Sequence, residues 1–291
     1  SIHSPKNLGE MLAARKRLVF DELLRIQLLL VARKRQLELA TQGISHDFSG
    51  DLVNKLIESL PFEPTNAQSK SIAEIFQDLR ASYPMHRLLQ GDVGSGKTLV
   101  AIAALLSVVE AGKQGSIMAP TEVLAEQHFV SAKELLGSFI LMDSTNLLGE
   151  RKLNISLLTS QTSEKDAKEI RAKLRRGEID IIVGTHSLIQ ESVEFADIGL
   201  AVVDEQHRFG VDQRAALRNK GNSAAIPDLL VMTATPIPRT AAMTVYGDLD
   251  VSILNELPEG RLPVETRRVA DTPELWKEVK AQILEGRQVF I

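Results

Sequence analysis

Apolar residues recur at two different periods along this chain, and the period changes near residue 60. Before that point a single stripe repeats at helical spacing, and it consists of Leu12, Val19, Leu23, Ile26, Leu30 and Leu37. This spacing predicts one long α-helix capped by Asn7 and Glu10, and we expect its stripe to pack on another element. A second, short helix is predicted over 51–60 and ends before Pro61.

From residue 65 onward, short apolar runs alternate with helical segments. The runs cover residues 88–89, 115–119, 155–159, 179–184, 200–203 and 229–233. Buried parallel strands have this almost continuous apolar character, because helices cover both faces of their sheet. The helices between them are predicted over 99–109, 121–137 and 163–177. The fold class indicated is α/β, a mostly parallel sheet flanked by helices, with a helical N-terminal extension.

The pattern divides the chain into three parts. Residues 1–60 form the helical extension, 61–258 the α/β domain, and 259–291 a linker with the beginning of a further domain. Within the α/β domain, residues 138–142 fit either a strand or an additional helical turn. In the last part, a helix over 273–285 precedes a short apolar run at 288–291 that predicts a strand.

A phosphate-binding loop follows the first apolar run of the α/β domain. Its residues are Gly91, Asp92, Val93, Gly94, Ser95, Gly96, Lys97 and Thr98. The glycines let successive backbone N–H groups surround a phosphate, next to the positive end of the helix that follows. Lys97 supplies a charge for the β- and γ-phosphates, and Thr98 supplies a hydroxyl for Mg²⁺. The loop therefore predicts a nucleotide site.

An acidic pair follows the apolar run 200–203, where a strand is predicted to end. At a strand end beside the phosphate loop, Asp204 is placed to bind Mg²⁺ through water. Glu205 is placed to accept a proton from the attacking water. Gln206 and His207 adjoin the pair; a solitary histidine is usually structural, but His207 is also placed to sense the phosphate. With Lys97, the candidate catalytic residues are Glu205, Gln206 and His207.

Two threonines mark the end of the next apolar run. Thr233 and Thr235 carry small hydroxyls that can exchange hydrogen bonds between His207, water and a phosphate, which would couple hydrolysis to a neighbouring surface. An ordinary exit from a strand into a turn is the alternative interpretation.

One helix upstream of the loop, the amide of Gln68 has the donors and the acceptor that suit the edge of adenine. Phe62 is available to stack on the base. The alternative is a core phenylalanine beside Thr65, with Thr65 capping a helix. We therefore include Phe62, Thr65 and Gln68 among the candidate nucleotide-binding residues.

Composition limits the possible environments and partners. The chain has no cysteine, which excludes disulfides and thiolate metal ligands. Its longest apolar runs are shorter than the roughly 18 residues of a membrane span, and its first residues lack a signal-peptide pattern, so a cytoplasmic location is expected.

The net charge is −4, but residues 1–39 hold eight Lys and Arg against four Asp and Glu. The clusters 15–17 and 33–35 are either solvated or in contact with nucleic-acid phosphates.

The order of these motifs resembles that of superfamily 2 helicases. The matching segments are Gln68, 91–98, 119–128, 184–186, 204–211 and 233–240. Among these helicases the resemblance is greatest to the bacterial branch-migration helicases; transcription-repair coupling translocases are also similar but usually have Glu at the position of Gln206. The resemblance implies a RecA-like P-loop NTPase domain in an ATP-dependent DNA helicase that uses Mg²⁺ and acts on branched DNA.

The same resemblance implies that five residues face the DNA backbone without reading its sequence: Pro120, Thr121, Gly184, Thr185 and His186. It also implies a wedge domain and a second RecA-like lobe as partners within the same protein. We therefore expect this chain to be a helical linker plus the first motor lobe, weakly active or inactive alone. The alternative functions are a double-stranded DNA translocase of the transcription-repair coupling type, a non-hydrolysing ATP-binding module, and a remodeller of RNA or protein.

Overall fold

The computed structural model describes residues 5–142, 149–190, 192–204, 225–234, 249–256 and 266–290. The chain divides into two compact units, Ser1–Pro258 and Glu259–Ile291. Four candidate residues of the sequence analysis lie outside the described residues, and they are Glu205, Gln206, His207 and Thr235. Among the helices described, none combines the length and apolar character needed to cross a membrane.

The helices match the sequence pattern closely. In the first unit they are α1 (Leu8–Ala40), α2 (Asp51–Ser59), α3 (Asn66–Leu79), α4 (Lys97–Glu110), α5 (Glu122–Leu136) and α6 (Glu164–Arg175). A 3₁₀ helix covers His186–Ile189, and the second unit contains α7 (Pro273–Leu284). Caps set several of these beginnings, because side chains of Thr121, Ser163 and Thr272 accept hydrogen bonds from backbone N–H groups in the first turns.

The first helix confirms its predicted cap but not its predicted packing. The Asn7 side chain accepts from the Glu10 N–H, and the Glu10 carboxylate accepts from the Lys6 N–H. Of the stripe, however, Leu12, Val19 and Leu23 are exposed. Within the described part of the chain, the expected packing on another element is not observed for these three residues. An apolar stripe predicts which side of a helix is suited to burial, but it does not identify the partner that buries it.

Nine strands are described, and seven of them form one sheet. They are β1 (His86–Gly91), β2 (Gln114–Met118), β3 (Ile140–Met142), β4 (Glu150–Lys152), β5 (Ile155–Leu158), β6 (Ile181–Gly184), β7 (Ile198–Asp204), β8 (Asp228–Thr233) and β9 (Asp250–Leu254). The large sheet has the order β5-β6-β2-β7-β8-β1-β9, and all of its described pairings are parallel. The predicted α/β fold is therefore confirmed.

Residues of one strand alternate between two apolar cores, one on each face of the sheet. In β7, Leu200 and Val202 belong to the core under α2, α3 and α4, whereas Ala201 and Val203 belong to the core that includes α6 residues. Burial on both faces explains why the strands read as continuous apolar runs.

The structure also corrects or completes three strand assignments. Residues 140–142 are a strand, β3, which pairs antiparallel with β4. The edge strand β9 was not predicted because one of its two buried positions is polar: the Arg87 guanidinium donates to the Ser252 hydroxyl at 2.8 Å. The strand predicted at 288–291 is wrong for 288–290, which follow α7 without strand structure. Within the described part of the second unit there is no strand with which these residues pair.

Candidate nucleotide and DNA-backbone site

The motif residues meet at one edge of the large sheet, where its parallel strands end; we call this the carboxyl edge. The phosphate-binding loop leaves β1, Asp204 ends β7 and Thr233 ends β8. Thr233 is in register with Gln90 of β1, and Asp204 is in register with Met232 of β8. In open parallel sheets, ligands bind outside this edge. The fold thus brings together residues more than a hundred positions apart.

The phosphate-binding loop is closed by its own lysine. Gly94 and Gly96 have φ angles of 78° and 86°, a left-handed conformation that favours glycine. Gly96 directly precedes α4, which begins at Lys97. The Lys97 ammonium donates to the carbonyls of Gly91 at 2.9 Å and Asp92 at 3.0 Å. These bonds hold a positive charge across the loop, beside the positive end of the α4 dipole.

Two glycines of this loop have neighbours that leave no room for a side chain. A Cβ at Gly91 would lie 2.4 Å from the Ser95 hydroxyl, and one at Gly96 would lie 2.2 Å from Nε2 of Gln68. Larger residues at these two positions would therefore force the loop out of this conformation. The Ser95 hydroxyl is buried and has no hydrogen-bond partner among the described residues. Because buried polar groups are normally bonded, this hydroxyl is an exception within the loop.

Gln68 supports the loop in this conformation. Its Nε2 donates to the Ser95 carbonyl at 2.8 Å, and its Oε1 accepts from the Thr65 N–H at 2.9 Å. Thr65 accepts in return from the Gln68 N–H, so the two residues form a capping box at the start of α3. The cap considered for Thr65 is present, but Phe62 is 50% exposed and is not a core residue. The contact of Gln68 with adenine stays a prediction.

Asp204 has a partner that the motifs did not indicate. Its Oδ2 lies 2.7 Å from Nε2 of His128, and the side chains are only 14% and 11% exposed. His128 lies at the end of the second turn of α5, the helix that begins after Thr121. An ionised carboxylate has no proton to donate, so the histidine donates and Nε2 carries the hydrogen. Asp204 and Thr98 together supply the carboxylate and hydroxyl oxygens that Mg²⁺ prefers.

The five residues predicted to face DNA lie on two neighbouring strand exits. Pro120 and Thr121 follow β2, and Thr185 and His186 follow β6. The Ala119 N–H donates to the Gly184 carbonyl at 2.9 Å, which joins the two exits. Gly184 itself is buried, and a Cβ there would lie 2.4 Å from the Leu158 carbonyl. Thr121 and His186 are exposed, and Thr185 is half-buried.

A cluster beside Thr121 was also missed by the motif analysis. The Ser160 hydroxyl donates to Oε1 of Glu122, and Nε2 of Gln161 donates to Oε2 at 2.6 Å. The Ser160 hydrogen bond, followed by that of Gln161, lowers the pKa of Glu122. Glu122 lies 38 and 39 residues from Ser160 and Gln161 in the sequence, so no local motif indicated these contacts.

The chain was compared with known proteins. A model of the DEAD/DEAH box helicase family matches residues 65–244. Proteins named ATP-dependent DNA helicase RecG are 46% identical to the whole chain in Synechocystis and 46% in Bacillus subtilis, with 33% and 41% of their own length covered. A solved structure of RecG bound to a three-way DNA junction is 40% identical with a TM-score of 0.79; the match covers 97% of this chain and 36% of that one.

The similarity to branch-migration helicases seen in the motif order is thus confirmed over the full chain. The chain spans between a third and about two fifths of the length of these curated relatives.

Proposed function

Because the chain belongs to the DEAD/DEAH box helicase family, we propose that it is the first motor lobe of an ATP-dependent DNA helicase acting on branched DNA. The observation that carries the proposal is the position of the phosphate-binding loop after β1 and of Asp204 at the end of β7. Both lie at the carboxyl edge of one parallel sheet, with β8 between them. The site residues fit a nucleotide phosphate and a magnesium ion. Bound Mg²⁺ would neutralise charge that develops on the phosphates during transfer to water.

Each candidate site residue then has its own role in ATP binding or hydrolysis. Lys97 holds the phosphates in place of its present carbonyl partners, and Thr98 with Asp204 holds the metal. Glu205 accepts the proton of the attacking water. Gln206, His207, Thr233 and Thr235 pass the state of the phosphate to the DNA-binding surface, and Phe62 with Gln68 contacts the base.

The DNA-binding surface of this lobe is formed by the exits of β2 and β6. Pro120, Thr121, Gly184, Thr185 and His186 face phosphates and not base edges, so binding is independent of sequence. Similarity to a RecG structure bound to a three-way junction supports branched DNA as the substrate. A wedge domain and a second RecA-like lobe of the same protein complete the DNA and ATP sites, and the protein works in the cytoplasm.

ATP hydrolysis by the full-length protein tests this function. We expect forked or three-way DNA to stimulate hydrolysis more strongly than linear duplex or single-stranded DNA of the same composition. Lys97→Ala removes the contact with the phosphates, so it should abolish that stimulation. Lys165→Ala serves as a control, because Lys165 is exposed on α6. Equal stimulation by RNA, or none by any nucleic acid, would contradict the proposal.

A further inference from the structure

We propose that His128 is a positioning residue that fixes the metal-binding carboxylate of Asp204 and links it to the DNA-facing end of α5. The inference rests on the proposed function, since it needs the carboxyl edge to bind a magnesium nucleotide. It adds a residue and a route of coupling that the phosphate-binding loop and the acidic motif do not contain.

The geometry assigns different tasks to the two carboxylate oxygens. Oδ2 of Asp204 accepts from His128 at 2.7 Å, which leaves Oδ1 as the oxygen for Mg²⁺ or for a water bound to it. Without His128, the carboxylate is free to rotate about its χ2 angle, since that torsion is broad. Partners that hold a metal ligand in this way typically change metal affinity by 10–100-fold when they are removed.

The position of His128 on α5 provides the link to DNA. Thr121 is the cap of this helix, and its hydroxyl accepts from the Leu124 N–H at 3.3 Å. His128 lies seven residues further on, which is two helical turns and therefore the same side of the helix. The inner side of α5 packs on the core through Ala125, Ala132 and Leu136, which are fully buried. Because α5 is one continuous helix, a displacement of Thr121 by DNA would also move His128.

A purely structural role makes a different prediction. If His128 only packs α5 against the sheet, its loss lowers stability and leaves the dependence of nucleotide binding on Mg²⁺ unchanged. A positioning role instead requires a hydrogen-bond donor at this place. His128→Gln keeps a donor at a similar reach, whereas His128→Leu keeps apolar bulk without one.

The experiment measures binding of a fluorescent ADP to the full-length protein during a Mg²⁺ titration. We expect His128→Ala and His128→Leu to need about 10-fold more Mg²⁺ for half-maximal binding, within the 10–100-fold range of such partners. His128→Gln should restore most of that loss. With Mn²⁺ in place of Mg²⁺, the EPR spectrum of the bound ion should change in the leucine variant and return towards wild type in the glutamine variant.

The link to DNA has its own readout. We expect forked DNA to change the Mg²⁺ midpoint of the wild-type protein, and His128→Leu to reduce that change at least several-fold. If the alanine variant does not fold, the glutamine and leucine pair still decides the question.

The two proposals fail separately. If Lys97→Ala binds the fluorescent ADP as well as wild type, the proposed nucleotide site is wrong. If Lys97→Ala loses binding while His128→Leu keeps both the wild-type Mg²⁺ midpoint and its response to DNA, the role of His128 alone is overturned.

Discussion

Two histidine–aspartate pairs in this lobe have the same chemistry and lie at opposite edges of one sheet. Nε2 of His46 lies 2.8 Å from Oδ2 of Asp228, the first residue of β8, and the side chains are 0% and 1% exposed. His128 and Asp204 make the same contact at 2.7 Å, but Asp204 is the last residue of β7 and remains in reach of solvent. In a parallel sheet, the strand end at which a pair lies decides whether a ligand can reach it.

The buried pair serves the attachment of the segment that follows α1. Asp228 also accepts the Met85 N–H through Oδ1 at 2.6 Å, so its carboxylate bonds two separate parts of the chain. Nearby, Gly43 pairs with Ile226, and a Cβ at Gly43 would lie 2.3 Å from the carbonyl carbon of Tyr83. These contacts give the His46–Asp228 pair a structural role. The His128–Asp204 pair instead lies at the candidate metal site.

The largest expected difference between the pairs is in stability. His46→Ala leaves Asp228 buried without its histidine, and leaving a buried hydrogen-bonding group unsatisfied typically costs about 1–3 kcal/mol, and more when that group is charged. His128→Ala leaves a carboxylate that water can still reach, so its cost should be smaller. Urea unfolding of the 291-residue chain measures both. If both variants lost the same unfolding free energy, the distinction between a structural pair and a pair at the metal site would be contradicted.

The pH dependence of stability sharpens the same comparison. Burial raises the pKa of Asp228 from its ordinary value to about 6, although the hydrogen bond from His46 opposes the rise. The folded state therefore holds this proton more tightly than the unfolded state. The stabilisation is complete below about pH 4 and is lost as the pH rises to about 6.

Asparagine cannot ionise, so the Asp228→Asn variant should not lose this stabilisation as the pH rises. From pH 5 to pH 6.5, wild type should lose unfolding free energy relative to Asp228→Asn by about 1–2 kcal/mol, and above that range the two curves should run parallel. Urea unfolding at several pH values checks the expectation. A difference that grows with rising pH in favour of wild type would contradict the assigned direction of the pKa.

The smallest expected effect concerns the outer end of α5. Thr121→Ala removes a helix cap and should cost about 1 kcal/mol of stability. It should also weaken DNA binding by the full-length protein without changing the slope of log affinity against log salt, because a neutral hydroxyl releases no counterion.

Neutralising Arg15, Lys16 and Arg17 tests the N-terminal cluster in the same assay. A flatter slope would show phosphate contact, and an unchanged slope a solvated face.

Local pattern predicts much of this fold and only part of its site. The strands and the phosphate-binding loop were predictable because apolar runs and loop glycines report the environment of their own residues. The partner of Asp204 was not, since His128 lies 76 residues away and reaches it only after β2 and β7 pair. Strand β9 was missed for a related reason, because the burial of Ser252 depends on Arg87 and Glu74 from other elements.

Binding of a magnesium nucleotide, measured by calorimetry on the 291-residue chain, tests the central claim that the carboxyl edge is the ATP site. Lys97→Ala removes a charge-assisted contact worth roughly 1.5–3 kcal/mol, so affinity should fall by about 10-fold or more. His46→Ala, measured where it remains folded, should keep wild-type affinity because its pair lies at the other edge. Equal affinity of wild type and Lys97→Ala would contradict the account.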